Sequence, residues 1–284
     1  MREMNSSVSL WRYVAEEGAL IWQLMFTESG VVVAQKRFPE ERRSLFFALE
    51  AVSGEVLFDD YRLPDGDGNA ESGEEWLTGI ETVAGELVFF HAYRQGGPEH
   101  LGLWAVDAGS GRVVWSRRDI VFTGVIDEGF LVYRPSSFAG FPERTYLVID
   151  HRSGADLRFL GADHPEIVRL RRDLISEECR QGVLLPELLE GGDPRFAGMS
   201  GSDRVSPHRC EGLAAGPVAI VATHHCDTAS GLWQSGLRVW RNGLLLHEDC
   251  LAESSRFPML NSFLLRAGRL YYLKRQSELL SLEL

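Results

Sequence analysis

Leu87-Val-Phe-Phe-His91, Leu103-Trp-Ala-Val-Asp107 and Arg112-Val-Val-Trp115 are three short apolar runs, the last two joined by Asp107-Ala-Gly-Ser-Gly111. Apolar runs of this length bounded by turn residues read as strands. The turn has a mechanism. The Asp107 carboxylate is placed to accept bonds from backbone N–H groups two or three residues on, and Gly111 supplies the positive φ of a tight hairpin. The same order occurs at Val31-Val-Val33, Leu45–Leu49 and Glu55–Phe58, with Glu50-Ala-Val-Ser-Gly54 between the last two. It recurs at Phe130–Tyr133, Tyr146–Ile149 and Leu157–Leu160, around Asp150-His-Arg-Ser-Gly154. An aromatic follows each turn glycine: Phe58, Trp115 and Phe159. A weaker copy runs Leu237–Trp240, Asn242-Gly243 and Leu244–His247, and Phe263–Leu273 with Leu279–Leu284 reads as three more strands.

A repeat of this kind predicts an all-β chain, a small β-propeller built as one domain over residues 1–284. The interval from Gly154 to Gly243 is much longer than those before it, which predicts an insertion near residues 164–212. There alternation lapses, and Ile167, Leu170 and Leu174 predict a helix over Glu166–Arg180, with a loop-like remainder from Gly191 to Pro207. Strand pattern resumes at Pro217–Val221. Five blades are favoured over six, with the N-terminal strand (about residues 9–14) completing the last blade and so removing open sheet edges.

The 284 residues are 44% hydrophobic and 10% aromatic, ample for a core, and mean hydropathy is close to zero. No apolar run approaches the roughly 18 residues that span a bilayer, and Met1–Leu10 lacks the apolar core of a secretory leader. A cytoplasmic protein without membrane association is expected. The formal net charge of −12 opposes phosphate backbones, so nucleic acid is not an expected partner. Cys179, Cys210, Cys226 and Cys250 are expected as free, buried thiols.

The stretch Ala105-Val-Asp-Ala-Gly-Ser-Gly-Arg-Val-Val-Trp115 resembles the repeat of quinoprotein-type (PQQ-like) β-propellers, whose blades carry a similar Asp…Gly…Trp turn with the Trp packed between blades. The resemblance implies fold. It does not imply pyrroloquinoline quinone, because the complete Trp repeats of the quinone-binding members are missing, and no cofactor is expected. Trp76-Leu-Thr-Gly-Ile-Glu81, the run from Phe89-Phe-His-Ala-Tyr93 to Gly97-Pro-Glu-His100, and Leu273-Lys-Arg-Gln-Ser-Glu-Leu279 look like an uncharacterised bacterial family of unknown function. That resemblance implies no activity.

Three constellations are candidates for chemistry. Asp65-Gly-Asp67-Gly-Asn69-Ala-Glu71 offers hard oxygens of the kind that wrap calcium, but Ala70 and Trp76 stand where an EF-hand needs Gly and Glu. His224, Cys226, His247 and Cys250 offer soft ligands for zinc, without a standard zinc spacing. Third, loops expected on one propeller face hold Lys36 and Arg37; His91, Arg94, Glu99 and His100; Tyr133 and Arg134; and His224 and His225. A His flanked by Arg and Glu suits polarising or deprotonating a small ligand. Phosphate-binding Gly-rich loops, Gly-x-Ser-x-Gly and His-Glu-x-x-His are all absent. The expectation is a non-catalytic binding or interaction module that uses one face for a protein or small molecule. The alternatives are a hydrolase or lyase with a rim His/carboxylate site, and a zinc or calcium protein.

Overall fold

The computed structural model describes residues 10–63, 75–93, 99–189 and 210–284. The chain divides into two compact units. One holds residues 17–181, and the other joins the N-terminal segment through Glu16 to Gly182–Leu284. The first strand, β1 (Leu10–Val14), belongs to the second of these.

Residues 17–181 form three four-stranded antiparallel sheets, each with its strands in chain order. The first sheet is β2 (Leu20–Phe26), β3 (Val31–Phe38), β4 (Arg43–Glu50) and β5 (Val56–Tyr61). The second is β6 (Thr78–Ala84), β7 (Leu87–Tyr93), β8 (His100–Asp107) and β9 (Val113–Arg117). The third is β10 (Val121–Ile126), β11 (Gly129–Phe138), β12 (Phe141–Ile149) and β13 (Asp156–Gly161). This up-and-down order is that of a propeller blade. The middle strands are buried on both faces, which is why they read as continuous apolar runs. Phe46 meets Phe90 edge-on at 4.5 Å between the first two sheets, and Phe89 meets Phe130 at 4.7 Å between the second and third. Burying each such ring contributes about 1.5–3 kcal/mol.

The repeated turn works as its residues dictate. Asp107 Oδ1 accepts from Ser110 N at 2.8 Å and Ser110 Oγ at 2.6 Å, and Gly111 sits at φ 71°. Glu50 accepts from Val52 N and Ser53 N of its own turn, and Asp150 from Arg152 N and Ser153 N. Two of the turn glycines also seat an aromatic of the sheet before them: Phe58 and Tyr61 lie on Gly111, and Trp115 lies on Gly154. The Trp115 indole N–H donates to His151 O at 3.0 Å. The third aromatic, Phe159, is exposed instead.

The predicted helix over Glu166–Arg180 is two helices, α1 (His164–Arg172) and α2 (Glu177–Gln181). Asp163 caps α1, Pro165 opens its first turn, and Ile167 and Leu170 are buried as their spacing implies. The break falls where Asp173 N–H donates back to Arg169 O and ends the helix. Leu174 leaves the helical face to lie against Gly124 of β10, where a Cβ would be 2.6 Å away. Ser176 Oγ then accepts from Cys179 N and starts α2. Arg180 donates to Val83 O at 2.7 Å, and the Gln181 side-chain carbonyl accepts from Phe26 N at 2.8 Å, tying α2 to β6 and β2.

The second unit has two five-stranded sheets. One is ordered β1, β22 (Glu278–Glu283), β21 (Arg269–Lys274), β20 (Phe263–Arg266) and β14 (Val183–Leu184). β1 pairs with β22 from Leu10↔Leu282 to Val14↔Glu278. The other runs β15 (Glu187–Leu188), β16 (Cys210–Ala215), β17 (Val218–Cys226), β18 (Trp233–Arg241) and β19 (Leu244–Ser255). Residues 164–212 therefore carry strands as well as helices. β14 and β15 are too short to show a period, and in β16 Glu211 and Gly212 interrupt the apolar pattern. The loop-like stretch from Gly191 to Pro207 lies outside the described residues.

A fourth copy of the repeated turn, Asp227-Thr-Ala-Ser-Gly231, joins β17 to β18. The Asp227 carboxylate accepts from Ala229 N at 3.0 Å and Ser230 Oγ at 2.6 Å. Asn242 and Gly243, both at positive φ, make the hairpin between β18 and β19. Among the described residues no helix is long and apolar enough to cross a membrane.

Candidate functional site

The first strand of each sheet in residues 17–181 contains one residue too many. Pairing steps from Ile21↔Lys36 to Gln23↔Gln35, leaving Trp22 extra. It steps from Ile80↔Phe90 to Thr82↔Phe89, leaving Glu81 extra, and from Phe122↔Val132 to Gly124↔Leu131, leaving Thr123 extra. Such bulges turn a side chain out of the regular alternation. Two of these residues, Trp22 and Glu81, line one cleft of about 400 Å³ together with Arg37, His91, Tyr93 and His100.

At the cleft, the His91 and His100 rings stack, with centroids 3.6 Å apart and planes 10° from parallel. Both Nδ1 atoms lie close to one oxygen: Glu81 Oε2 is 2.8 Å from that of His91 and 2.7 Å from that of His100, and the second contact is a hydrogen bond. Tyr93 stands edge-on to both imidazoles. His91 is only 5% exposed, and neither of its ring nitrogens makes an aligned hydrogen bond among the described residues. Burial pushes His91 below the usual imidazole value, against the pull of Glu81. Burial pushes Glu81 up, but the two histidines beside it outweigh that and hold it below the usual carboxylate range.

Arg37 lines the same cleft. Its guanidinium lies 4.0 Å from the Trp76 ring centroid and 5.8 Å from that of Trp22, and it donates to Trp76 O at 3.1 Å. Its Nε–H is buried and has no partner among the described residues. Gln35 is held by Ser44 Oγ and Thr78 O, and Gln23 by Ile80 O, so the polar floor is already ordered.

Most of the described rim residues expected in loops sit on strands, and several are committed elsewhere. Lys36 is fully buried, with Nζ 2.7 Å from Asp59 and 2.6 Å from Asp60, because alternation in β3 turns it away from Arg37. Glu99 pairs with Arg144 at 3.1 Å, leaving Glu81 as the carboxylate beside the histidines. Tyr133 is buried beneath the Arg144 guanidinium. Arg134 joins Arg117 in bridging Asp119 and Asp156, an ion-pair network that holds Asp119 well below the carboxylate range. Arg94, and the run Asp65, Asp67, Asn69 and Glu71, lie outside the described residues.

The candidate soft-ligand residues His224, Cys226, His247 and Cys250 are not brought together as a cluster of three or more among the described residues. Among the described residues the only convergence of three or more His, Cys, Asp or Glu ligand atoms is Glu81, His91 and His100, all within 4.8 Å of one another. His224 is buried with Nδ1 2.9 Å from Ser235 Oγ, and its Nε2 is 3.4 Å from Glu211, while His225 is exposed on the same strand. His247 Nε2 meets Tyr272 OH at 3.1 Å. Cys226 and Cys250 thiols contact backbone carbonyls. All four cysteines are free, but only Cys210 is buried.

A sequence-family model described as "Domain of unknown function (DUF4905)" matches residues 26–115. That stretch holds Trp76–Glu81 and the run from Phe89 to His100, though not Leu273–Leu279. No curated protein matches the chain. Among solved structures, a prolyl endopeptidase is similar at 13% identity and a TM-score of 0.33, with 89% of this chain matched and 32% of that one. The β-propeller domain of the Trilobed protease from Pyrococcus furiosus is similar at 11% identity and 0.31, covering 92% and 64%. A glycosyl hydrolase from Bacteroides ovatus is similar at 9% identity and 0.31, covering 95% and 85%. At such scores these likenesses say nothing of activity here.

Proposed function

We propose that this chain is a binding module whose blade-like sheets hold the cleft between Arg37 and the His91–His100 pair open to a small ligand carrying an anionic group. The observation that carries the reading is the Arg37 guanidinium, fixed over Trp76 with its Nε–H unsatisfied, facing a polar floor ordered by Gln23 and Gln35. A planar fork of donors matches a carboxylate. Trp22 and Tyr93 offer flat apolar surface to the rest of the ligand. The quinoprotein-type resemblance enters this reading as scaffold, with the repeat turn supporting sheets and the ligand meeting bulge and strand-end residues. A thermal-shift panel of mono- and dicarboxylic acids and sugar acids tests it. At least one acid is expected to raise the melting temperature of the parent and leave Arg37→Gln unmoved. No response across the panel, or one kept in Arg37→Gln, overturns the proposal.

A hydrolase or lyase reading has one observation in its favour. His100, held by Glu81 through Nδ1 and a third exposed, is better placed than buried His91 to exchange a proton with a ligand. It requires turnover of a responding acid that disappears in His100→Ala; binding without turnover sinks it.

A further inference from the structure

We propose that Glu81, His91 and His100 form a binding site for a divalent transition ion of the zinc class, resting on the cleft described above. Two imidazoles and one carboxylate are a donor set that suits zinc, cobalt or nickel and leaves positions open. A hard ion such as calcium or magnesium selects oxygen instead.

Geometry beyond the donor set supports the assignment. Two imidazole nitrogens lie 2.7 and 2.8 Å from one carboxylate oxygen, so the three atoms surround a point that a cation would occupy. His91 is the independent sign. It is buried, lies 2.8 Å from that oxygen, and still has no aligned hydrogen bond at either nitrogen among the described residues. A buried polar ring in that state is costly without a partner. Its position is not slack, because a Cβ on Gly79 would already lie 2.8 Å from it.

Loading the site demands a defined movement. Bonds of about 2.0–2.1 Å in a tetrahedral site separate the ligand atoms by about 3.3 Å, so the cluster opens by roughly half an ångström. An ion held by both Nδ1 atoms also lies in neither ring plane while the rings stay parallel. His100, the more exposed ring, turns, and His91 stays seated on Gly79. The remaining positions face a cleft of about 400 Å³ that also holds Arg37, so water or the anionic group of a ligand completes the shell.

The test uses the full chain stripped with chelator and titrated with Co²⁺ and Zn²⁺ alone, without organic acid. One Co²⁺ per chain is expected, with the visible d–d absorption of a four- or five-coordinate ion, displaced by Zn²⁺. His100→Ala and Glu81→Gln are each expected to bind at least tenfold more weakly, with circular dichroism and melting matching the parent. His225→Ala, which changes an exposed histidine elsewhere, is expected to bind as the parent does. Less than a tenth of an equivalent bound by the parent overturns the proposal, as does affinity unchanged in folded His100→Ala, the outcome if ions collect elsewhere. Failure here with an acid still bound through Arg37 leaves the ligand reading standing. Cobalt uptake without any acid response leaves the ion site standing alone.

Discussion

His91 rests on Gly79: a Cβ at that glycine would fall 2.8 Å from both Cε1 and Nε2 of the imidazole. The two residues are paired directly across β6 and β7, so the ring lies on the neighbouring backbone. Gly79 is not at positive φ, and its backbone tolerates alanine. Gly79→Ala is therefore expected to act through His91, displacing it from His100 and Glu81. Overpacking of this kind costs about 1–3 kcal/mol. A urea midpoint lowered accordingly, with changed imidazole shifts for both histidines by NMR, is the expected result; unchanged shifts contradict it.

Gly154 has two reasons to be glycine, and Gly243 has one. Both sit at positive φ, 70° and 76°. A Cβ at Gly154 also meets the Trp115 ring at 2.8 Å, whereas Gly243 has nothing within 4 Å. Gly243→Ala is expected to cost about 1–2 kcal/mol from backbone conformation alone. Gly154→Ala is expected to cost more and to raise Trp115 fluorescence exposure, because the indole must also leave its seat. Equal losses for the two variants refute this account.

The turn that seats Trp115 was legible because its chemistry is local: an acid, a serine and a glycine at fixed offsets. The fourth copy at Asp227 is equally local, and stands directly after the candidate ligands of His224-His-Cys226. The site was half legible. His91, His100 and Arg37 could be found as polar residues at the ends of apolar runs. Trp22 and Glu81 could not, because each is the extra residue of a bulge and so breaks the period-two pattern by which strands are recognised. The available signal was a carboxylate standing between Ile80 and Thr82-Val83. Lys36 misled for the opposite reason, since its partners Asp59 and Asp60 lie on a strand distant in sequence.

Glu211 is the hub of a buried polar group in the second unit. Both of its oxygens lie 3.0 Å from Asn261 N, and Oε2 is 3.4 Å from His224 Nε2. His224 continues to Ser235, whose Oγ accepts from Met259 N at 3.2 Å. Ser235, His224 and Glu211 follow one another in a buried chain of polar contacts. Glu211→Ala orphans Asn261 N–H, at about 1–3 kcal/mol, while His224 keeps its contact with Ser235 through Nδ1. Glu211→Gln keeps an acceptor for Asn261 and is expected to lose less. Urea unfolding distinguishes the two, and equal losses count against the hub.

His247 gives the second unit a defined response to acid. Burial lowers its pKa from the ordinary imidazole value, and Asp249 and Lys274 pull in opposite directions. Its Nε2 meets Tyr272 OH, which donates to Asp249, while Lys274 Nζ holds the other Asp249 oxygen at 2.7 Å. A histidine depressed in the fold binds its proton more readily when unfolded. Stability is therefore whole above the unfolded value of about 6.5 and declines as pH falls through the folded one. Burial pushes Asp249 up, but Lys274 and Tyr272 outweigh it, so its contribution stands above about pH 4 and is lost further into acid. His151, also lowered by burial, adds the same sign in the other unit. The urea midpoint is expected to fall between pH 7.5 and 5.5, and His247→Gln, which keeps a donor for Tyr272, to flatten that fall. A midpoint that rises toward pH 5.5, or an unchanged slope in His247→Gln, refutes the assignment.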